Sequence, residues 1–123
     1  MRVYVITRLI GTIGATVCAA PDADYPLQPV RAQGELVPPA FEVRHDGELT
    51  PGAGQLALAI LADYFGDAEQ GGTIAVLRMF DCRATRYARA FAFDHFTTAN
   101  PLPHVISGEH IDRWLQAHTP VAA

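Results

Sequence analysis

The chain is 123 residues long, half of them hydrophobic and 18% charged, with nine basic against thirteen acidic side chains and a formal net charge of −4. That is the size and composition of one soluble globular domain, 1–123, because disordered chains are poorer in apolar residues and richer in net charge. All nine basic residues are arginine, which excludes Schiff-base chemistry, a lysine base and a phosphate loop of the GxxxxGK[ST] type; the acidic balance speaks against a dedicated nucleic-acid-binding domain.

The β-branched run Val3 to Arg8, with Val3, Val5 and Thr7 alternating with Tyr4, Ile6 and Arg8, predicts a first strand covered on both faces. Arg8 interrupts the apolar core that a secretory signal would need. Gly11-Thr12-Ile13-Gly14 reads as a turn and Thr12 to Ala19 as a second strand. Pro21, Pro26, Pro29, Pro38 and Pro39 mark loop or edge structure, since proline cannot donate to a sheet ladder. Ala40 to Arg44 is a short strand candidate, and Asp46-Gly47 signals a hairpin.

Thr50-Pro51-Gly52 opens the most definite helix, 54–65, stopped by Gly66. Its apolar residues cover more than half the circumference, so it should lie at the centre of the core, with Gln55 and Asp63 on a narrow solvated strip. Thr73 to Phe80 reads as a strand. A helix over about 83–96 puts Ala84, Tyr87, Ala88, Phe91 and His95 on one face and Arg83, Arg86 and Arg89 on the other, with Phe93 projecting among the arginines. Asn100-Pro101-Leu102-Pro103 ends it, His104 to Ile106 is a short strand, and Ser107 caps a last helix over 108–118, with Trp114 as a core anchor and Thr119-Pro120 as its stop. The fold expected is α+β in a single domain: an N-terminal β half, the buried helix 54–65, and two further helices, 83–96 and 108–118, on a small sheet.

The chemistry-bearing residues form no familiar catalytic pattern. Glu109-His110-Ile111-Asp112 lacks the second histidine of a zinc-protease helix, and His110 and His118 diverge on an ideal helix. Cys18 and Cys82 sit in no metal-ligand spacing and read as free thiols of a cytoplasmic protein. No apolar stretch reaches membrane-span length. No catalytic residue, metal or cofactor is therefore assigned. The arginine stripe says more. Guanidinium groups at i, i+3 and i+6 beside an aromatic ring suit bidentate recognition of carboxylate or phosphate and are the residue types of binding hot spots. The plainer reading is a solvated face whose arginines pair with Asp81 or Asp94.

The segment Pro51-Gly52-Ala53-Gly54-Gln55-Leu56-Ala57-Leu58-Ala59-Ile60-Leu61-Ala62-Asp63-Tyr64, a later Tyr/Phe-rich helix, and Val105-Ile106-Ser107 leading to Ile111 and Trp114-Leu115 carry a resemblance. Over about residues 41–116 the chain resembles a small domain family of unknown function from bacteria, plasmids and phages. That family shares a glycine-rich lead into an A/Q-L-A-L-A-I-L helix and a closing I-x-x-W-L helix. His45 to Thr50 replaces a longer glycine- and aromatic-rich stretch, and the sequence around Gly71 to Cys82 is extra. The resemblance implies no reaction, only a setting in a bacterium or its mobile elements.

The function expected is non-enzymatic binding to a protein partner through Arg83, Arg86, Arg89 and Phe93, in the manner of an inhibitor that counters host defence. The alternative is a small enzyme or ligand-binding domain using His95 and Asp94 with His104 or His110. A weaker alternative is nucleic-acid binding through the arginine patch.

Overall fold

The computed structural model describes residues 2–31, 37–98 and 101–118. In chain order the elements are β1 (Val3–Leu9), β2 (Thr12–Cys18), β3 (Tyr25–Pro26), β4 (Val30–Arg31), α1 (Pro51–Phe65), β5 (Ala68–Glu69), β6 (Ala75–Leu77), α2 (Arg83–Phe96), β7 (His104–Ser107) and α3 (Gly108–His118). The fold is α+β, with three helices and two sheets among the described residues. One sheet is antiparallel, in the order β3-β2-β1-β7; the other is β4-β6-β5, with β4 parallel and β5 antiparallel to β6.

The period-two pattern of β1 sends Tyr4 and Ile6 into the core and leaves Val3, Val5 and Thr7 half-buried. Register continues this row across the sheet, since Tyr4 stands between Val17 and Ile106 and all three are buried. The β1–β2 turn is tighter than the sequence reading: Leu9 pairs with Thr12, so the loop is Ile10-Gly11 alone and Gly14 lies within β2. Both loop residues have positive φ, 42° at Ile10 and 80° at Gly11, the type I′ signature that matches the twist of a hairpin. Ile10 takes the strained position and is fully exposed.

Helix α1 begins three residues earlier than its apolar pattern suggested, because Thr50 is the N-cap: its Oγ1 accepts the Ala53 N–H at 3.2 Å, and Pro51 occupies the first turn. A Cβ at Gly52 would collide with the Ala40 carbonyl and the Glu42 side chain, so glycine is what lets the helix start under that loop. Gly66, at φ 72°, closes the helix in the left-handed conformation. Leu56, Ile60 and Leu61 of α1 join Tyr4, Ile6 and Val17 of the sheet and Phe91 and Phe96 of α2 in one core. Helix α3 docks onto α2 through Trp114, whose ring meets Phe91 edge-on at 5.0 Å and Tyr87 at 6.0 Å.

Several expectations change. Ala40 to Arg44 is not a strand, and Asp46-Gly47 does not join a hairpin. The Arg44 and Gly47 N–H groups donate instead to the Phe96 and Thr97 carbonyls, which ties this segment to the end of α2. The strand predicted over 73–80 shortens to Ala75–Leu77. Asn100 and the stop Thr119-Pro120 lie outside the described residues. Cys18 and Cys82 are separate free thiols. Among the described residues, no helix is long and apolar enough to cross a membrane.

Candidate functional site

The two polar residues of α1 are structural and not solvated. Gln55 is buried and makes a two-bond clasp on the backbone of Val30: Oε1 accepts its N–H and Nε2 donates to its carbonyl, each at 2.9 Å. The side chain thus stands in for a strand partner of β4. The Asp63 carboxylate, with a side chain only 6% exposed, accepts from Tyr4 Oη at 2.7 Å, Tyr25 Oη at 2.5 Å and Arg2 at 3.2 Å. This network fastens the end of α1 to β1 and β3. Burial, together with donation to that carboxylate, pushes the Tyr25 phenol up to about 12 and raises Tyr4 further.

Two of the histidines proposed for catalysis, His95 on α2 and His110 on α3, meet in a pair that spacing within one helix does not reveal. His95 Nδ1 faces the Phe91 carbonyl at 2.8 Å and therefore donates to it, which leaves Nε2 as the acceptor of the His110 Nε2–H at 2.7 Å. The ring centroids are 4.9 Å apart, so the two nitrogens point nearly head-on, the geometry of a shared proton and not of two lone pairs converging on a metal. Burial lowers the His95 pKa below the ordinary histidine value, and the neighbouring His110 and His104 lower it further. His104 is lowered in the same way by burial and His110. Among the described residues, no group of three or more His, Cys, Asp or Glu could hold a metal ion.

Asp94, the acid paired with His95 in sequence, turns away from it. Its Oδ2 accepts from Trp114 Nε1 at 2.8 Å and faces His118 Nε2 at 3.1 Å. His118 lies flat on the Trp114 ring, with centroids 4.0 Å apart, and its Nδ1 reaches the Trp114 carbonyl at 2.8 Å. Both ring nitrogens of His118 thus face oxygen acceptors.

The arginine stripe divides. On an ideal helix Arg86, Arg89 and Phe93 fall within about 60° of one another, with Arg83 at the edge of the fan. Arg83 swings to the end of α1, where its guanidinium carbon lies 4.3 Å from the centroid of the Phe65 ring. Arg86, Arg89 and Phe93 surround one open cleft of about 500 Å³, together with Leu49, Ala90, Asp94 and His118. Arg86 is held by Asp81 at 3.1 Å, in a pair exposed on both sides. That partner raises the Arg86 guanidinium above its ordinary value. Arg89 makes no salt bridge among the described residues, and Phe93 is 57% exposed.

No protein-family model matches the chain, and no curated protein and no solved structure matches it either. A half-exposed aromatic ring, one guanidinium in a loose surface pair and one without an ion pair can take a planar anion together with an apolar group.

Proposed function

We propose that this chain is a non-enzymatic binding protein that acts by occupying the surface of a protein partner with the Arg86, Arg89 and Phe93 face of α2. The observation that carries this reading is Arg89: an exposed guanidinium with no salt bridge among the described residues, in a cleft beside an exposed phenylalanine. Arginine and aromatic side chains concentrate binding energy where they are desolvated against a partner, and an ion pair formed on binding costs less when the free arginine has none to break. The surface pair of Arg86 with Asp81 is weak enough to be exchanged for a partner's carboxylate. Arg83 contributes by steadying the start of α2 against Phe65, outside the contact itself.

The same features favour protein over nucleic acid. A net charge of −4, with Asp81 and Asp94 beside the arginines, leaves little of the positive field that phosphate backbones require. The catalytic alternative would need His95 and Asp94 to act together, and each is committed to a different helix-to-helix contact.

The test is capture from a bacterial lysate with the full chain, comparing the parent with Arg86→Ala/Arg89→Ala and with Arg113→Ala on α3. A specific partner retained by the parent and by Arg113→Ala, and lost by the double variant, is the expected result. A partner held equally by all three, or none at all, refutes the reading.

A further inference from the structure

We infer that the partner presents to this face a short acidic segment, an apolar side chain close in sequence to an aspartate or glutamate, seated in a groove that runs along α2. The inference rests on the binding role proposed for α2 and specifies what is bound. Beside the basic cleft lies a second depression of about 510 Å³, between the beginning of α1 and α2, lined among others by Pro39, Pro51, Leu58 and Ala88. Leu49 and Arg89 line both depressions, so the two are halves of one groove with Arg89 at the joint.

The halves differ in chemistry. The first offers apolar side chains, and its polar Gln55, Thr50 and Thr85 are already engaged, Gln55 with the Val30 backbone, Thr50 with the Ala53 N–H and Thr85 with the Phe80 and Cys82 carbonyls. The second offers Arg86 and Arg89, and its only carboxylate, Asp94, is taken up by Trp114 and His118. An occupant matching both halves carries an apolar group for the first and a carboxylate for the guanidinium at the joint. An extended or helical peptide supplies the two within a few residues. A carboxylate on Arg89 can form two parallel bonds, which a neutral amide cannot replace.

Gly54 provides a means of blocking the groove without unfolding the chain. It lines the apolar half, and a Cβ built there meets no atom within 4 Å, so a longer side chain projects into open space from a helical position that favours it over glycine.

The experiment is selection of random displayed peptides on the purified full chain, followed by fluorescence anisotropy of the most enriched labelled peptide on the parent and on Arg89→Ala, Arg89→Lys and Gly54→Met. The expected outcome is enrichment of Asp or Glu close to an apolar residue. Affinity should fall about tenfold or more in Arg89→Ala, recover in part in Arg89→Lys, and be lost in Gly54→Met, whose melting temperature is not reduced. Enriched peptides without an acid, or an affinity indifferent to Arg89→Ala and Gly54→Met, overturn the inference. So does a groove that instead takes a labelled single-stranded oligonucleotide, or one that mediates self-association abolished by Gly54→Met in sedimentation. If no peptide is enriched while the lysate partner is still lost by Arg86→Ala/Arg89→Ala, the acidic segment is refuted and the binding face stands.

Discussion

Replacing Asp63 by alanine tests whether a single carboxylate pins the end of α1 to the antiparallel sheet. The substitution removes the acceptor of three donors at once: Tyr4 Oη, Tyr25 Oη and Arg2. Tyr4 is completely buried, so its orphaned hydroxyl costs about 1–3 kcal/mol. Tyr25 is half-buried and regains some hydration, adding about 1 kcal/mol. The Arg2 side chain is 41% exposed, so its ion pair adds less than about 1 kcal/mol. Against this, alanine favours the helix over aspartate by roughly 0.5 kcal/mol. The net expectation is a loss of about 3 kcal/mol, or roughly 10 °C in Tm for a domain of this size. Urea unfolding followed by the fluorescence of Trp114, the only tryptophan, measures it. In the Asp63→Ala background, Tyr4→Phe should recover about 1–2 kcal/mol by removing the orphaned hydroxyl, although the same change weakens the parent. A loss below about 1 kcal/mol, or a further loss on adding Tyr4→Phe, refutes the reasoning.

Acid should weaken the fold through the burial of His95. The His95 pKa in the folded chain lies below 6.5, so between that folded value and about 6.5 the unfolded chain binds more protons and stability rises with pH. Stability is therefore lost as pH falls below about 6.5, with His95 contributing at most about 1.4 kcal/mol per pH unit and the less buried His104 a smaller part. Urea midpoints at several pH values should show that slope reduced in His95→Gln. Ile10→Asn should stabilise the chain by about 1 kcal/mol, because asparagine accepts the left-handed conformation that a β-branched residue resists. A lower urea midpoint would contradict the strained turn. Ultraviolet titration should find Tyr25 ionising near 12, and Asp63→Ala should bring it back toward the ordinary tyrosine value of 10.0.

Much of the helical framework was legible because helix ends carry their own chemistry. Thr50, Gly66 and Ser107 each announce a boundary through one side chain or one φ angle, and the Ser107 Oγ accepts the His110 N–H at 3.1 Å as an N-cap should. The strands β3, β4 and β5 were hidden because each has only two residues, and β4 finds its partner β6 far along the chain; β6 itself was legible as part of the longer run 73–80. Gln55 and Asp63 were misread because polarity alone does not separate a solvated side chain from a buried one that has found donors. The signal present was a helix apolar over more than half its circumference, whose remaining strip must also meet neighbours. In the site, the i, i+3, i+6 spacing put Arg83, Arg86 and Arg89 on one face of α2, and what spacing could not show is that the Arg83 guanidinium lies over the Phe65 ring while Arg86 and Arg89 line one cleft. The meeting of His95 with His110 spans two helices, beyond the reach of spacing within one.

The claim that α2 is the binding face is tested most directly by photo-crosslinking. A benzoylphenylalanine placed at Ala90, an exposed residue of the basic cleft, should capture the same partner that the parent retains, and Arg86→Ala/Arg89→Ala should abolish the adduct. The same probe at exposed Val76 of β6 should capture none of it. Adducts from Val76 and none from Ala90 would place the contact elsewhere and contradict the account.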